Sequence, residues 1–153
     1  MKQLNQDGVR AFLRGYRVPL RKIEEIVSGF DFNMATYEQS LESGQQLFQY
    51  IRNPSFNDAS LRVGNWFCLR GASCSDLAIF GGGSGRRLHG YVVSLGLPAV
   101  EGTASPQSPN WDWAGGGRGG ATQIYIPSQL IGRLRAVGPL DEMVTRDRLP
   151  TRP

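Results

Sequence analysis

The chain has 153 residues, of which 40% are hydrophobic and 20% charged. This length and composition predict one globular domain that forms a core without disulfides or a structural metal. No apolar run approaches the roughly 18 residues of a membrane-spanning helix, and the N-terminus lacks the apolar segment of a signal peptide. The net charge is +4, and fifteen of the 17 basic residues are arginines. Because guanidinium groups bind phosphate and carboxylate in a planar fork, this bias favours a phosphate-bearing ligand or an acidic partner.

Few residues are suited to metal binding or to proton transfer. The chain has two cysteines, Cys68 and Cys74, and one histidine, His89. A zinc site needs about four such ligands, so we expect no metal site, and we expect both thiols to be reduced packing residues. The signatures GxSxG, HExxH and CxxC and the Walker loop are missing from the sequence as well. These absences favour a mechanism based on charge stabilisation over one based on proton transfer.

The glycines divide the chain, because four lie in residues 1–63 and sixteen in residues 64–153. In the first part, apolar side chains recur at helical spacing and predict three helices. The first helix covers residues 9–16, the second covers residues 20–27, and the third runs from about residue 35 to residue 51.

The glycine-rich second part predicts short strands separated by turns. Apolar or alternating runs bounded by Gly, Ser or Pro predict strands at residues 65–70, 77–80, 88–95 and 122–127. Residues 98–120 contain three prolines, Trp111 and Trp113, and predict a long functional loop without regular structure. Ser128 is positioned to cap a closing helix that Gly138 would end, and the Arg-rich residues 141–153 predict a polar, poorly ordered tail.

Three segments of the second part contain candidate binding residues. Gln123 follows the glycine-rich run 115–120, which predicts either a side chain in a cleft below a glycine loop or one on a solvated strand face. His89 and Tyr91 share one face of a predicted strand, where the histidine is either a structural group or a catalyst. The aromatic strand at residues 65–70 ends in an arginine and is compatible with an ordinary core strand.

Taken in this order, the motifs resemble the tuberculosis necrotizing toxin family of NAD-hydrolysing domains and, more loosely, the ADP-ribosyltransferase-like toxins. His89-Gly90-Tyr91-Val92-Val93 is similar to the family's His-x-Tyr strand. Gly119-Gly120-Ala121-Thr122-Gln123 is similar to its glycine-rich loop that leads into an essential Gln. The resemblance covers residues 64–140, whereas residues 1–63 match nothing in the family and Val92 stands where the family has an Arg.

Together with the helical periodicity of the first part, the resemblance gives an expected α+β fold, with an N-terminal helical segment followed by a small, strongly bent antiparallel sheet of the ADP-ribosyltransferase-like type. The periodicity predicts a helical subdomain at residues 1–60 and the composition a polar tail at 141–153, while the resemblance implies an NAD-binding catalytic core at 61–140. The implied activity is hydrolysis of NAD(P) to nicotinamide and ADP-ribose or its phosphate, with no cofactor besides the substrate. The implied biological role is a delivered toxin that acts in the cytoplasm of a target cell, with a cognate immunity protein as partner.

The same resemblance gives roles to individual residues. Gln123 would orient the nicotinamide ribose or the attacking water, while His89 and Tyr91 would shape the pocket as further catalytic residues. Arg70 would hold the pyrophosphate, with Arg118 as its rival. The other residues implied in NAD binding are Trp66, which would stack on a ring, and Gly119, Gly120 and Thr122.

Three other functions stay open. ADP-ribosyl transfer to a macromolecule on the same fold generally uses a Glu near the Gln position, where this chain has Thr122 and Tyr125, so hydrolysis is favoured. The arginines, with Trp111 and Trp113, are compatible with a nuclease or an RNA-binding module. The arginines of residues 10–21 alternate with an apolar helix face, however, and the basic residues form no single stripe, so nucleic acid is the less favoured partner. The remaining interpretation is an interaction protein without activity.

Overall fold

The computed structural model describes residues 1–52, 64–72, 77, 86–106 and 119–139. Its helices are α1 (Gln6–Gly15), α2 (Leu20–Ser28) and a 3-10 helix (Ser128–Arg133). None of the helices in these ranges is long and apolar enough to cross a membrane. The strands are β1 (Lys2–Gln3), β2 (Tyr37–Leu41), β3 (Gln46–Arg52), β4 (Trp66–Cys68), β5 (Arg86–Val93), β6 (Leu97–Thr103), β7 (Thr122–Tyr125) and β8 (Leu134–Pro139).

All eight described strands form one antiparallel sheet, in the order β1-β2-β6-β7-β4-β3-β5-β8. The predicted combination of N-terminal helices with an antiparallel sheet is therefore confirmed. Three strands separate β2 from β3, and a flat sheet would place them roughly 19 Å apart at about 4.8 Å per strand. The end of β2 nevertheless lies close to the start of β3, because the residues between them form a tight turn in which the N–H of Gln45 donates to the carbonyl oxygen of Glu42 at 3.1 Å. The sheet must therefore curve strongly.

The curvature gives the sheet an inner face that encloses one hydrophobic core. Along β7, Ile124 points to this face, and Phe67 of β4 and Tyr91 of β5 meet there with their rings perpendicular, 5.4 Å between centroids. The 3-10 helix closes the core through Leu130. The other buried members of this cluster are Leu41, Leu47, Val93, Leu97, Ala99 and Ile126.

The opposite face of the sheet carries the two α-helices, and we call it the helix face. The side chain of Asn5 caps α1 by accepting a hydrogen bond from the N–H of Gly8 at 2.8 Å, and Gly29 caps the C-terminus of α2. The guanidinium of Arg10 binds the Glu24 carboxylate at 2.7 and 3.0 Å and links the two helices. The buried members of this second core are Leu4, Val9, Leu13, Ile23, Ile26, Val27, Phe30, Val100 and Tyr125.

The first two predicted helices are confirmed, and the third is wrong. Residues 35–51 form β2 and β3 instead, joined by a turn in which Gly44 adopts a φ of +93°. Leu47 and Phe48 are both buried although they point to opposite faces, because β3 lies inside the sheet and is covered on both sides. Two adjacent buried residues fit a helical pattern as well as an interior strand, so periodicity does not separate the two.

Two predictions for the second half are also corrected. Residues 98–103, expected within an irregular loop, belong to β6, and Pro98 is tolerated because it lies beyond Val100, where the pairing with β7 ends. The helix expected at residues 128–137 is a short 3-10 helix followed by β8, and Ser128 makes no side-chain cap. The predicted strands at 65–70, 88–95 and 122–127 are confirmed with shifted ends, whereas residues 78–80, 107–118 and 140–153 lie outside the described ranges.

We expect Gly102→Ala to destabilise the protein by about 1–3 kcal/mol, because this change forces extra volume into a filled core. A Cβ at Gly102 would lie 2.7 Å from Cδ1 of Phe30 and 2.9 Å from Oγ1 of Thr36. The matched control is Gly132→Ala, where a Cβ would meet nothing within 4 Å. Urea unfolding of the two variants measures the difference, and equal midpoints would show that the contact with Phe30 is loose.

Candidate active site

Gln123 belongs to a row of residues that runs across the sheet. In the strand pairing, Gly102 of β6 and Cys68 of β4 stand on either side of Gln123, Phe48 of β3 follows Cys68, and Gly90 of β5 follows Phe48. Residues in register point to the same face, so Gln123, Cys68 and Phe48 stand side by side on the helix face between two glycines. We call these five residues the Gln123 row.

The Gln123 side chain is buried, with 7% of its surface exposed, and it is hydrogen-bonded to the end of α2. Its Nε2 donates to the carbonyl oxygen of Gly29 at 2.5 Å, and this is the one hydrogen bond that the described part of the chain gives this side chain. The ring of Phe30 occupies the space above Gly102 and so forms the wall beside the amide.

Trp66 lies on the same face, two residues before Cys68 on β4. Its indole is half-buried and packs against Phe30 and Tyr125, with ring centroids at 5.2 and 5.1 Å. The six-membered part of the indole also lies against Gly29, where a Cβ would come within 3.1 Å of it. Trp66 is therefore an aromatic wall of the site that is itself held by two other rings.

Arg70 follows β4 and contacts Phe48 of the Gln123 row. Its guanidinium carbon lies 5.0 Å from the centre of the Phe48 ring, in cation–π contact, and the residue is exposed. Phe48 is two strands away from Gln123, which corresponds to roughly 10 Å across the sheet. The face thus carries an aromatic wall and an amide at one end and a cation at the other.

The glycines before Gln123 are placed by contacts with Ala104, the residue that follows β6. Gly119 and Gly120 adopt φ values of +73° and +100°, which favour glycine. A Cβ at Gly119 would lie 2.5 Å from the carbonyl oxygen of Ala104, so the close approach that this glycine permits is to the chain itself. Gly120 is exposed and open, and its N–H donates to that same carbonyl. Thr122 precedes Gln123 in β7, so its side chain points to the opposite face of the sheet. Arg118 lies outside the described residues.

The structure does not bring His89 and Tyr91 to Gln123. Both are buried on the inner face, where Tyr91 belongs to the core cluster and His89 stands opposite Gln49 in the β3–β5 pairing. The predicted sharing of one strand face by His89 and Tyr91 is confirmed, but the sheet itself separates that face from Gln123. One pocket formed by all three is therefore incompatible with the strand register.

Gln49 is a polar core residue that the sequence analysis did not identify. Its Nε2 donates to the carbonyl oxygen of Trp66 at 2.8 Å, and its Oε1 accepts from the Tyr91 hydroxyl at 3.4 Å. The first bond continues the link between β3 and β4 beyond the single paired position of these strands, Phe48 with Cys68. Burial raises the pKa of Tyr91 to about 12. Residues 47, 49 and 51 share one face of a strand, and Gln49 is the polar residue among them. If the segment had been assigned as a strand, this pattern would have indicated Gln49 as a polar residue of the core.

Gly29 and Phe30 were also not identified as site residues, because no local pattern could indicate them. The hydrogen bond between Gly29 and Gln123 joins positions 94 residues apart. The described residues contain no group of three or more His, Cys, Asp or Glu side chains that could hold a metal ion. This arrangement can bind and orient a ligand through an amide, aromatic walls and a cation.

No family model matches the chain, and no curated protein does. Solved structures share its fold, among them the following two. The structure of Tse6 in complex with Tsi6 matches with 20% identity and a TM-score of 0.68, and the match covers 90% of this chain and 94% of the matched chain. The structure of Rhs1-CT in complex with its cognate immunity protein RhsI1 matches with 20% identity and a TM-score of 0.50, and the match covers 94% of this chain and 98% of the matched chain. At these identities the likeness concerns the fold alone.

We expect the Cys68 thiol to resist thiol reagents in the folded protein. Burial raises its pKa from the ordinary value of 9.0 to about 12, so the reactive thiolate is scarce at neutral pH. Because the folded state disfavours the thiolate, stability is retained below pH 9.0 and lost as the pH rises towards 12. A Cys74→Ser variant isolates this thiol, and Ellman's reagent should label it only in denaturant. Fast labelling of the native variant at pH 8 would contradict the expectation.

Proposed function

We propose that the chain is a bacterial toxin domain that hydrolyses NAD(P) to nicotinamide and ADP-ribose or its phosphate. The observation that carries the proposal is the Gln123 row together with Arg70, because they combine a buried, oriented amide with a cation that contacts Phe48, two strands away. The resemblance of residues 64–140 to NAD-hydrolysing toxins supports it, because Gln123 and the glycines before it are the residues that match that family's loop.

The bond to be cleaved joins the nicotinamide nitrogen to C1′ of its ribose. As it breaks, the electron pair goes to the nitrogen and nicotinamide leaves as a neutral molecule, so no acid is required to protonate it. The ribose becomes an oxocarbenium-like cation, as in glycosidases. A water oxygen then bonds to C1′ and releases its proton to solvent. A site with an amide and no carboxylate in the row suits this reaction, because the leaving group needs no proton donor.

In the proposed complex, Gln123 holds the nicotinamide ribose or the attacking water, and Trp66 forms the wall beside the ring. The exposed guanidinium of Arg70 binds the pyrophosphate, for which it supplies a planar pair of donors. Gly120 provides an open stretch of backbone at the entrance to β7. His89 and Tyr91 have no contact with substrate in this complex, and they support β5 from the inner face.

The proposed biological role is that of a delivered effector. Both structural neighbours were solved with a bound partner, and RhsI1 is described as the cognate immunity protein of Rhs1-CT. A similar protein that covers the substrate cleft is the expected partner of this chain. The toxin would act on NAD(P) in the cytoplasm of the target cell.

We expect the purified protein to release nicotinamide from NAD, and Gln123→Ala to lower kcat by about 100-fold or more, the scale seen when one oriented polar group of a catalytic site is removed. Gln46→Ala is the matched control, because Gln46 is an exposed glutamine of β3. Chromatography of nicotinamide and ADP-ribose measures the rates. If both variants kept wild-type rates, the assignment of the site would be wrong. In a separate assay with biotinylated NAD, label on protein would indicate ADP-ribosyl transfer instead of hydrolysis.

Arg70→Ala should raise KM for NAD about tenfold with a smaller change in kcat, because the lost contact is made to phosphate in the ground state as well as in the transition state. Arg135→Ala serves as control, since Arg135 is an exposed arginine of β8 at the far edge of the sheet. The two arginine variants lose the same charge. Equal KM values for them would therefore show that Arg70 acts only through the general charge of the protein, or not at all.

A further inference from the structure

The carbonyl oxygen of Gly29, at the C-terminal cap of α2, receives two hydrogen bonds from the sheet side of the molecule. The N–H of Ser105 donates to it at 3.0 Å, and Nε2 of Gln123 donates at 2.5 Å. A carbonyl oxygen has two lone pairs, so both are occupied. Because a carbonyl oxygen can only accept hydrogen bonds, the side chain at position 123 must supply a donor to bond with it.

The surroundings of this hydrogen bond leave little room for water. Trp66 covers Gly29, Phe30 fills the space above Gly102, and Gln123 is 7% exposed. The last turn of α2 contains no basic residue, so the partial negative charge of the helix C-terminus is not offset within the helix. A negative charge at position 123 would meet negative partial charge without solvent to screen it.

We propose that the Gly29 carbonyl selects an amide over a carboxylate at position 123, and thereby decides which atom the side chain offers to substrate. The amide nitrogen alone can donate to Gly29, so Nε2 is turned towards α2 and Oε1 faces the other way as a hydrogen-bond acceptor. A carboxylate would place an acceptor against an acceptor, and it fits only after taking up a proton. The statement about substrate rests on the proposed function, and the selection of the amide does not.

Other titratable or charged groups on the surrounding elements do not reproduce this effect. Cys68 of β4 and Tyr125 of β7 have raised pKa values because they are buried, and both are uncharged below pH 9. Glu25 of α2 is exposed, as is Arg70 beyond β4, while Asp31 follows α2 and its carboxylate accepts from the N–H of Asn33. Glu101 of β6 alternates with Gly102 and points to the inner face. None of these groups donates a hydrogen bond to Gly29.

The decisive experiment compares the melting temperatures of Gln123→Glu and Gln123→Met with wild type between pH 4.5 and pH 8. In Gln123→Glu, the new carboxyl group should have a folded-state pKa above its unfolded value near 4.3. The variant protein should therefore keep its stability at low pH and lose it as the pH rises through the folded-state pKa. We expect Gln123→Glu to melt about 5 °C below wild type at pH 8 and within about 1 °C at pH 4.5. Gln123→Met should show the same deficit at both pH values. A deficit of Gln123→Glu that did not change with pH would overturn the proposal.

A second measurement uses the wild-type protein and so does not depend on whether the variant folds. The side-chain NH2 protons of Gln123, assigned by their loss in Gln123→Met, should exchange with solvent at least tenfold more slowly than those of the exposed Gln6. Exchange of Gln123 as fast as that of Gln6 would show that the bond to Gly29 is not maintained in solution and would overturn the proposal.

Activity provides the link to substrate. If Oε1 is the acceptor that acts on the ribose, kcat of Gln123→Glu relative to wild type should rise about tenfold between pH 8 and pH 5, as protonation restores the donor to Gly29. No change in this ratio would overturn the role of Oε1. If wild type released no nicotinamide at all, the proposed function would fail, while melting and exchange would still decide whether Gly29 selects the amide.

Discussion

The phenyl ring of Phe30 lies where a side chain at Gly102 would otherwise stand, and the helix face is arranged around this contact. With the ring in this place, Phe30 forms a bridge with Ala104, and the N–H of Asp31 donates to Thr103 at 2.8 Å. The end of α2 is thereby brought down to the sheet surface. The Gly29 carbonyl can then reach the side chain of Gln123. A strand position without a side chain is therefore what allows a helix terminus to contact the centre of the sheet.

Each face of the sheet carries a buried glutamine amide, and the two amides differ in their hydrogen bonds. On the helix face, the buried amide of Gln123 has one hydrogen bond within the described residues. The same face carries the exposed side chain of Arg70. On the inner face, the amide of Gln49 is bonded on both sides, to Trp66 and to Tyr91, which is what a buried polar group of a core requires. The Gln49 amide, bonded at both its nitrogen and its oxygen, is structural. The Gln123 amide, whose oxygen has no bond within the described residues, is the candidate for ligand contact.

Local patterns in the sequence predicted the elements whose signal is local. The apolar stripes of α1 and α2, and the glycine-bounded strands β5 and β7, follow from spacing and turn residues. The segment of β2 and β3 was misassigned because an interior strand buries neighbours on both faces. Strand β6 was missed because Pro98 usually indicates a loop. For the site, the sequence indicated Gln123, Trp66 and Arg70 as separate candidates; the structure places them on the same face of the sheet, and their binding roles stay predictions. Gly29 and Phe30 were not indicated, since only the three-dimensional pairing of α2 with β6 brings them to Gln123.

The order of the strands also has a consequence for how the chain reaches its native state. The strands β1 and β2 are held through β6, and β3 is held between β4 and β5, so none of the first three strands pairs with another except β1 with β2. The centre of the sheet is complete only when β7, ending at Tyr125, has docked between β6 and β4. Sheets that depend on such distant pairings fold slowly, because loop-closure entropy is lost before most contacts form. Apart from the pairing of β1 with β2, the first three strands thus have all their partners later in the chain, and the sheet cannot be completed before β7 is available.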